Sequence, residues 1–173
     1  TAGSLRTPAA VELIVFDVDG VLTDGSVYLD DNGVETKRFN IRDGFGIKLW
    51  QQLGFSTAII TGRSGRVVGH RAKELGIAHV IQGAGDKAAA LESLVAKTGI
   101  GADRMAYLGD DWPDLSALRR VGFPMAVADA DPRVLAVAAF VTTRPGGHGA
   151  AREAIDHIVR AKGLLDRALK LYD

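Results

Sequence analysis

Leu13-Ile14-Val15-Phe16-Asp17-Val18-Asp19-Gly20-Val21-Leu22-Thr23-Asp24-Gly25 is the stretch on which the fold turns. Its first four residues have the length and the β-branched, aromatic character of a strand covered on both faces, as in a parallel sheet. Polar residues follow abruptly, and Gly20 punctuates a turn. Open α/β sheets bind their ligands beyond the carboxyl ends of such strands. Side chains alternate along a strand, so Asp17 and Asp19 point the same way. Two anions that close need a cation between them or a shared proton. A plain solvated turn can carry the same residue types, because Asp and Gly satisfy backbone groups there. The rest of the chain has to separate the two readings.

Downstream, strand-like and helix-like segments alternate. Ser26 to Leu29 and Val34 to Phe39 flank Asp30-Asp31-Asn32-Gly33, a strong hairpin signal. Asp43 is expected to cap a helix ending at Gly54. Strands are expected at 56–60, 79–81, 105–108, 124–127 and 140–141, and helices at about 65–75, from Asp86, 113–120, after Pro132 and from Gly149 to about Lys162. Alternation of this kind implies right-handed crossovers and an α/β fold with a doubly wound, mainly parallel, Rossmann-like sheet. The 173 residues suit a single domain over 11–173, with 1–10 an aperiodic, flexible tail.

Composition removes several function classes. Lysine plus arginine equals aspartate plus glutamate at 21 each, so no overall field favours nucleic acid or an anionic membrane. There is no cysteine, which excludes disulfides, thiolate catalysis and zinc–thiolate sites. No apolar run is long enough to span a bilayer, and cytoplasmic residence is the expectation.

Polar groups collect where the parallel strands end. Asp17 and Asp19 follow the first, Thr61 the second, and Asp110, Asp111 and Asp114 a later one. Lys87 opens the helix after the short strand. Singly, each has an ordinary explanation: a helix cap, a solvated lysine, a helix start. Together they form a kit for phosphoryl transfer. The acids suit Mg²⁺, a hard cation that takes oxygen ligands. The cation, Lys87 and the Thr61 hydroxyl would neutralise the charge on the phosphoryl oxygens. An Asp nucleophile needs no base, since its ordinary pKa of about 3.9 leaves it ionised at neutral pH.

The ordered set Asp-Val-Asp-Gly-Val-Leu-Thr-Asp, Thr61, Lys87 and Gly109-Asp110-Asp111-x-x-Asp114 resembles the haloacid dehalogenase superfamily of phosphatases. The resemblance implies Asp17 as the nucleophile that forms an aspartyl-phosphate. It implies Asp19 as the acid that protonates the leaving oxygen and then the base for hydrolysis. Mg²⁺ would be held by Asp17, the Asp19 carbonyl and Asp110, with Asp111 and Asp114 supporting, while Thr61 and Lys87 bind the phosphoryl group. The intervals from Asp19 to Thr61 and from Thr61 to Lys87 are already filled by the elements above. No cap domain fits there, so the hairpin is the only flap, and either a macromolecular substrate or a lid from neighbouring subunits is implied.

Phe39 to Lys48, Thr61-Gly62-Arg63-Ser64 and Arg144-Pro145-Gly146-Gly147-His148-Gly149-Ala150-Ala151-Arg152-Glu153 narrow the resemblance to the capless 3-deoxy-D-manno-octulosonate 8-phosphate phosphatases of lipopolysaccharide sugar synthesis. That family implies a homotetramer whose hairpins meet at its centre, with a neighbour closing each site, and a sugar acid phosphate as substrate. Basic candidates for the substrate carboxylate are Arg63, Arg66, Lys48, Arg144, His148 and Arg152. A relative acting on a nine-carbon sialic-type sugar acid 9-phosphate would share the catalytic residues. A receiver-type phosphoacceptor domain also uses acids, a threonine and a lysine. There, however, the adjacent acidic pair comes on the first strand, whereas here it comes late. An idle oligomerisation module of this fold would not need every chemical position filled.

Overall fold

The computed structural model describes residues 7–173, so the tail expected at 1–10 lies mostly outside the described residues. Its end, Pro8–Ala10, forms a single 3₁₀ turn whose Ala9 carbonyl accepts from Lys162 at 2.7 Å.

A six-stranded sheet organises the chain. In sequence its strands are β1 (Leu13–Phe16), β4 (Ser56–Ile60), β5 (His79–Ile81), β6 (Met105–Gly109), β7 (Phe123–Ala126) and β8 (Phe140–Val141). In space the order is β5-β4-β1-β6-β7-β8, and every pairing is parallel. β2 (Tyr28–Leu29) and β3 (Glu35–Thr36) form a separate antiparallel hairpin, shorter than its flanking apolar runs suggest. The helices are α1 (Ile41–Gln52), α2 (Arg66–Leu75), α3 (Lys87–Thr98), α4 (Leu115–Leu118), α5 (Pro132–Val137), α6 (Ala150–Ala161) and α7 (Leu165–Leu169). The doubly wound sheet with a hairpin flap and no cap domain is therefore the observed fold.

β1 lies in the middle because all four of its residues are apolar and completely buried. Helices cover both faces: α1 packs on α2 and α6, and α3 and α5 pack on α4. Before β6 the winding reverses, so the topological switch point falls between β1 and β6. Ligands of open α/β sheets bind at that crevice. The register pairs Phe16 with Leu108, which brings Asp17 and Asp110 to the same edge.

One local expectation needs correction. The cap of α1 is Asn40, whose Oδ1 accepts from the Arg42 and Asp43 N–H groups. Asp43 instead lies in the first turn, buried, and its Oδ1 accepts from Arg152 N–H at 2.9 Å, tying α1 to α6. Phe39, at the end of the run that follows the hairpin turn, is partly buried against the core. It packs against buried residues, with the Arg71 guanidinium 5.5 Å from its ring centre.

Candidate active site

Asp17, Asp110 and Asp114 each present a carboxylate oxygen within 4.8 Å of the others. Two loops deliver them, one after β1 and one after β6. Asp17 ends β1, with its N–H donating to Leu108 O at 3.1 Å. Asp110 leaves β6. Asp114 closes a 3₁₀ turn, Trp112–Asp114, that Asp111 caps through Trp112 N–H.

Asp114 is the best-held acid and is only 1% exposed. Its Oδ1 accepts from Lys87 Nζ at 2.6 Å and from the Tyr107 hydroxyl at 2.7 Å. Its Oδ2 accepts from the N–H groups of Asp110 at 3.0 Å and Asp111 at 3.3 Å. With both oxygens committed, Asp114 positions the loop and the lysine rather than offering lone pairs to a ligand. Asp111, which is exposed, builds the turn and does not join the cluster.

Lys87 opens α3 behind its N-cap Asp86. A cation in a helix's first turn opposes the dipole there, so something else must hold it. Its ammonium lies 3.0 Å from Asp17 Oδ1 as well as contacting Asp114, with the side chain only 3% exposed. Burial works against that charge, but Asp17 and Asp114 outweigh it and raise the Lys87 pKa.

The acids bear the opposite strain. Burial, then repulsion from Asp114, lifts the Asp17 carboxyl to about 6 despite Lys87. Burial, followed by Asp17, Asp114 and Asp111, lifts Asp110 to about 8. Burial and the same acids keep the Tyr107 phenol well above its usual range, so it remains a donor. Three carboxylates against one ammonium leave excess negative charge, and every free donor is oxygen. That set fits a hard divalent cation, with Asp17 and Asp110 as its ligands.

Gly20 shapes this cavity. Its φ is +88°, and a Cβ there would stand 2.0 Å from Asp110 Oδ2. Alanine in this region costs about 1–2 kcal/mol in backbone strain alone. Gly20→Ala should therefore push Asp110 aside and weaken divalent-cation binding about tenfold or more, which is about 1.4 kcal/mol. Calorimetric titration with Mg²⁺ checks this, and an unchanged affinity would show that Asp110 does not hold the cation.

Thr61 follows β4 at the same edge and is 1% exposed, with its N–H donating to Ile81 O and its carbonyl accepting from Ala84 N–H. Asp19, two residues beyond Asp17, is partly exposed, and its carboxylate meets Lys37 and Arg63. Lys37 and Glu35 were missed in the sequence reading. Glu35 lies on β3 and Lys37 just beyond it, and their charges on a hairpin read as ordinary surface residues. Tyr107 was missed because a tyrosine within an apolar strand looks like core.

The basic candidates divide. Arg63 lies beside Asp19 and pairs with Glu35 at 2.5 Å. Arg66 lines a groove of about 640 Å³ between the hairpin and α2, shared with Glu35, Ser64 and His70. His148 lies over the first turn of the site. Its Nδ1 donates to Gly146 O at 2.9 Å, which leaves Nε2 to accept from Arg38 at 3.0 Å. Gly146 and Gly147 pack on the chain's own Gly20–Asp24 turn, so closely that a Cβ on Gly146 would meet Gly20 O at 1.8 Å. Three candidates, Lys48, Arg144 and Arg152, are not brought to the Asp17–Asp110–Asp114 cluster of this protomer. Lys48 sits on the solvent side of α1 beside Lys73 and Glu74, near the end of α2 at the opposite edge of the sheet. Arg152 is drawn to Asp156 at 2.9 Å and over the Phe45 ring at 4.8 Å. It shares a separate groove with Arg42, Arg144 and Arg160.

Residues 76–153 match the family model for haloacid dehalogenase-like hydrolases. The chain is 44% identical to the 3-deoxy-D-manno-octulosonate 8-phosphate phosphatase of Escherichia coli K12, covering 91% of this chain and 84% of that protein. Among solved structures it is similar to the enzyme of that name from Moraxella catarrhalis in complex with magnesium ion, phosphate ion and KDO. The TM-score there is 0.94 at 41% identity, and both chains are covered over 100%. A probable YrbI family phosphatase from Pseudomonas syringae also gives a TM-score of 0.94, at 47% identity, covering 99% of this chain and 98% of that one.

Proposed function

The chain belongs to the 3-deoxy-D-manno-octulosonate 8-phosphate phosphatase family of haloacid dehalogenase-like hydrolases, and on that premise we propose how its residues divide the reaction. The protein is a Mg²⁺-dependent phosphoric monoester hydrolase. It converts 3-deoxy-D-manno-octulosonate 8-phosphate to the free sugar acid and phosphate, a step of lipopolysaccharide sugar biosynthesis. The observation that carries the assignment of roles is the convergence of Asp17, Asp110, Asp114 and Lys87 at the switch point.

Asp17 is the nucleophile. Lys87 holds Oδ1, so Oδ2 is the oxygen free to attack phosphorus. As that bond forms, the ester P–O bond breaks and Asp19 gives its proton to the departing sugar oxygen. Water then attacks phosphorus and passes a proton to Asp19, which releases phosphate and restores the Asp17 carboxylate. Lys87 neutralises phosphoryl charge throughout, and Thr61 offers its hydroxyl to the same oxygens. Asp17, Asp110 and the Asp19 carbonyl would hold Mg²⁺, which would supply positive charge against the crowded acids and the incoming phosphate.

Arg63, beside Asp19 and paired with Glu35, and Arg66, in the groove that Glu35 lines, are the proposed partners of the substrate carboxylate. We propose a homotetramer with neighbouring subunits completing each site. Support comes from the hairpin, where Val27, Tyr28, Leu29 and Val34 are 45–63% exposed and too apolar for a free flap. Light scattering should return four copies, and a fully active monomer would remove the borrowed lid. No described helix is long and apolar enough to cross a membrane, and we place the reaction in the cytoplasm. Phosphate release from a panel of sugar phosphates, with and without Mg²⁺, tests the whole reading. The eight-carbon ester should lead, and a tenfold higher kcat/KM for a nine-carbon sialic-type 9-phosphate would reassign the substrate.

A further inference from the structure

The hairpin carries a lysine in an unexpected place. Lys37 follows β3, among residues that are mostly exposed, yet its side chain is only 3% exposed. Lysines normally keep the ammonium in water and bury only the stem. A buried ammonium persists only with partners, and Lys37 has two, Asp19 Oδ1 and Glu35 Oε1, the latter at 2.6 Å. Arg63 completes a ring, at 2.5 Å from Glu35 Oε2 and with Nε 3.9 Å from Asp19 Oδ2. Two cations and two carboxylates thus face one another.

Asp19 needs such a tether. Asp114 is fixed by four donors, two of them backbone N–H groups. Among the described residues, the Asp19 carboxylate has one hydrogen-bond donor, Lys37, and it comes from the flap rather than from its own turn. Lys37 occupies Oδ1. The Arg63 contact at 3.9 Å is too long for a hydrogen bond, so Oδ2 stays open.

We propose that Lys37 is a positioning residue for Asp19, pinning Oδ1 so that Oδ2 faces the departing sugar oxygen and the hydrolytic water. This rests on the reading of Asp19 as general acid and base. Proton transfer by a positioned group contributes roughly 10²–10⁴-fold, and it matters only when the leaving oxygen needs a proton. A sugar alkoxide does; p-nitrophenolate, a stable anion, does not.

The test compares turnover of the sugar phosphate and of p-nitrophenyl phosphate, both with saturating Mg²⁺. In Lys37→Met the ratio of sugar-phosphate to aryl-phosphate kcat/KM, which reads formation of the aspartyl-phosphate alone, should fall about tenfold or more, with Lys37→Arg restoring part of it. Asp19→Asn is the reference and should lower the same ratio further. Equal losses on both esters in Lys37→Met, beside a collapsed ratio in Asp19→Asn, would overturn the role of Lys37 and leave the acid in place. An unchanged ratio in Asp19→Asn would remove the acid assignment itself, and Lys37 with it. If Lys37→Met does not fold, Lys37→Gln reads the same ratio.

Discussion

Asp17→Asn should abolish turnover, with kcat falling on the order of 10⁴-fold or more, as when a covalent nucleophile is lost. The amide keeps the size and shape of the side chain and an oxygen for Lys87, but a neutral amide does not attack phosphorus. The same change should not unfold the protein. Burial and Asp114 raise the Asp17 pKa from 3.8 to about 6. An acid raised in this way binds more protons folded than unfolded between those values, so its contribution to stability falls as pH rises through that window. Above it, the ionised group is a net cost of a few kcal/mol by order of magnitude, about 1.4 kcal/mol for each pH unit. Asparagine removes that charge. In chelator at pH 7 the thermal midpoint of Asp17→Asn should therefore equal or exceed that of the parent. A variant retaining most of its phosphate release would refute the covalent route. An inactive variant that melts much lower would show a folding defect instead.

Lys87→Ala should be costly twice. Loss of one charged donor to the phosphoryl oxygens lowers kcat by roughly 10²–10³. Removal of the ammonium that contacts both Asp17 and Asp114 also leaves two buried carboxylates facing each other. Breaking one partner out of a buried ion pair typically destabilises by about 3–5 kcal/mol. Steady-state kinetics and thermal melting on the same preparation separate the two effects. A kcat loss under threefold with an unchanged midpoint would mean that Lys87 contributes to neither. Asp114→Asn probes the other side of this contact and is expected to disturb Lys87 and the Asp110 loop together, since one carboxylate holds both.

Much of this architecture could be read from the chain. β1, β4, β5 and β8 carry the bounds expected from their apolar runs, and α2 ends at Leu75 as expected, with Gly76 beyond it in the left-handed conformation. Buried parallel strands are legible because both faces demand apolar residues, and abrupt Asp, Thr or Gly residues mark where each one ends. The convergence of Asp17, Asp110 and Asp114 at the strand ends was legible for the same reason. What escaped was any contact set by packing between distant elements. Asp43 has the composition of a cap, yet its role is to receive a hydrogen bond from a helix more than a hundred positions later. Tyr107 shows no polar role until Asp114 folds back over it. Lys48 and Arg152 carry the right charge, but α1 and α6 direct them away from the acids of their own protomer. Charge type is written in the sequence, whereas direction depends on helix rotation and on which neighbour competes for the guanidinium.

The glycines at 146 and 147 carry a consequence for the timing of synthesis. They lie against the backbone of Gly20 and Thr23, and Gly147 N–H donates to Val21 O at 2.9 Å. The loop that follows Asp17 therefore receives its last support from residues translated more than a hundred codons afterwards. A nascent chain on the ribosome, with every acid already made, still lacks that brace, so activity should begin only once the segment leading into α6 has left the exit tunnel.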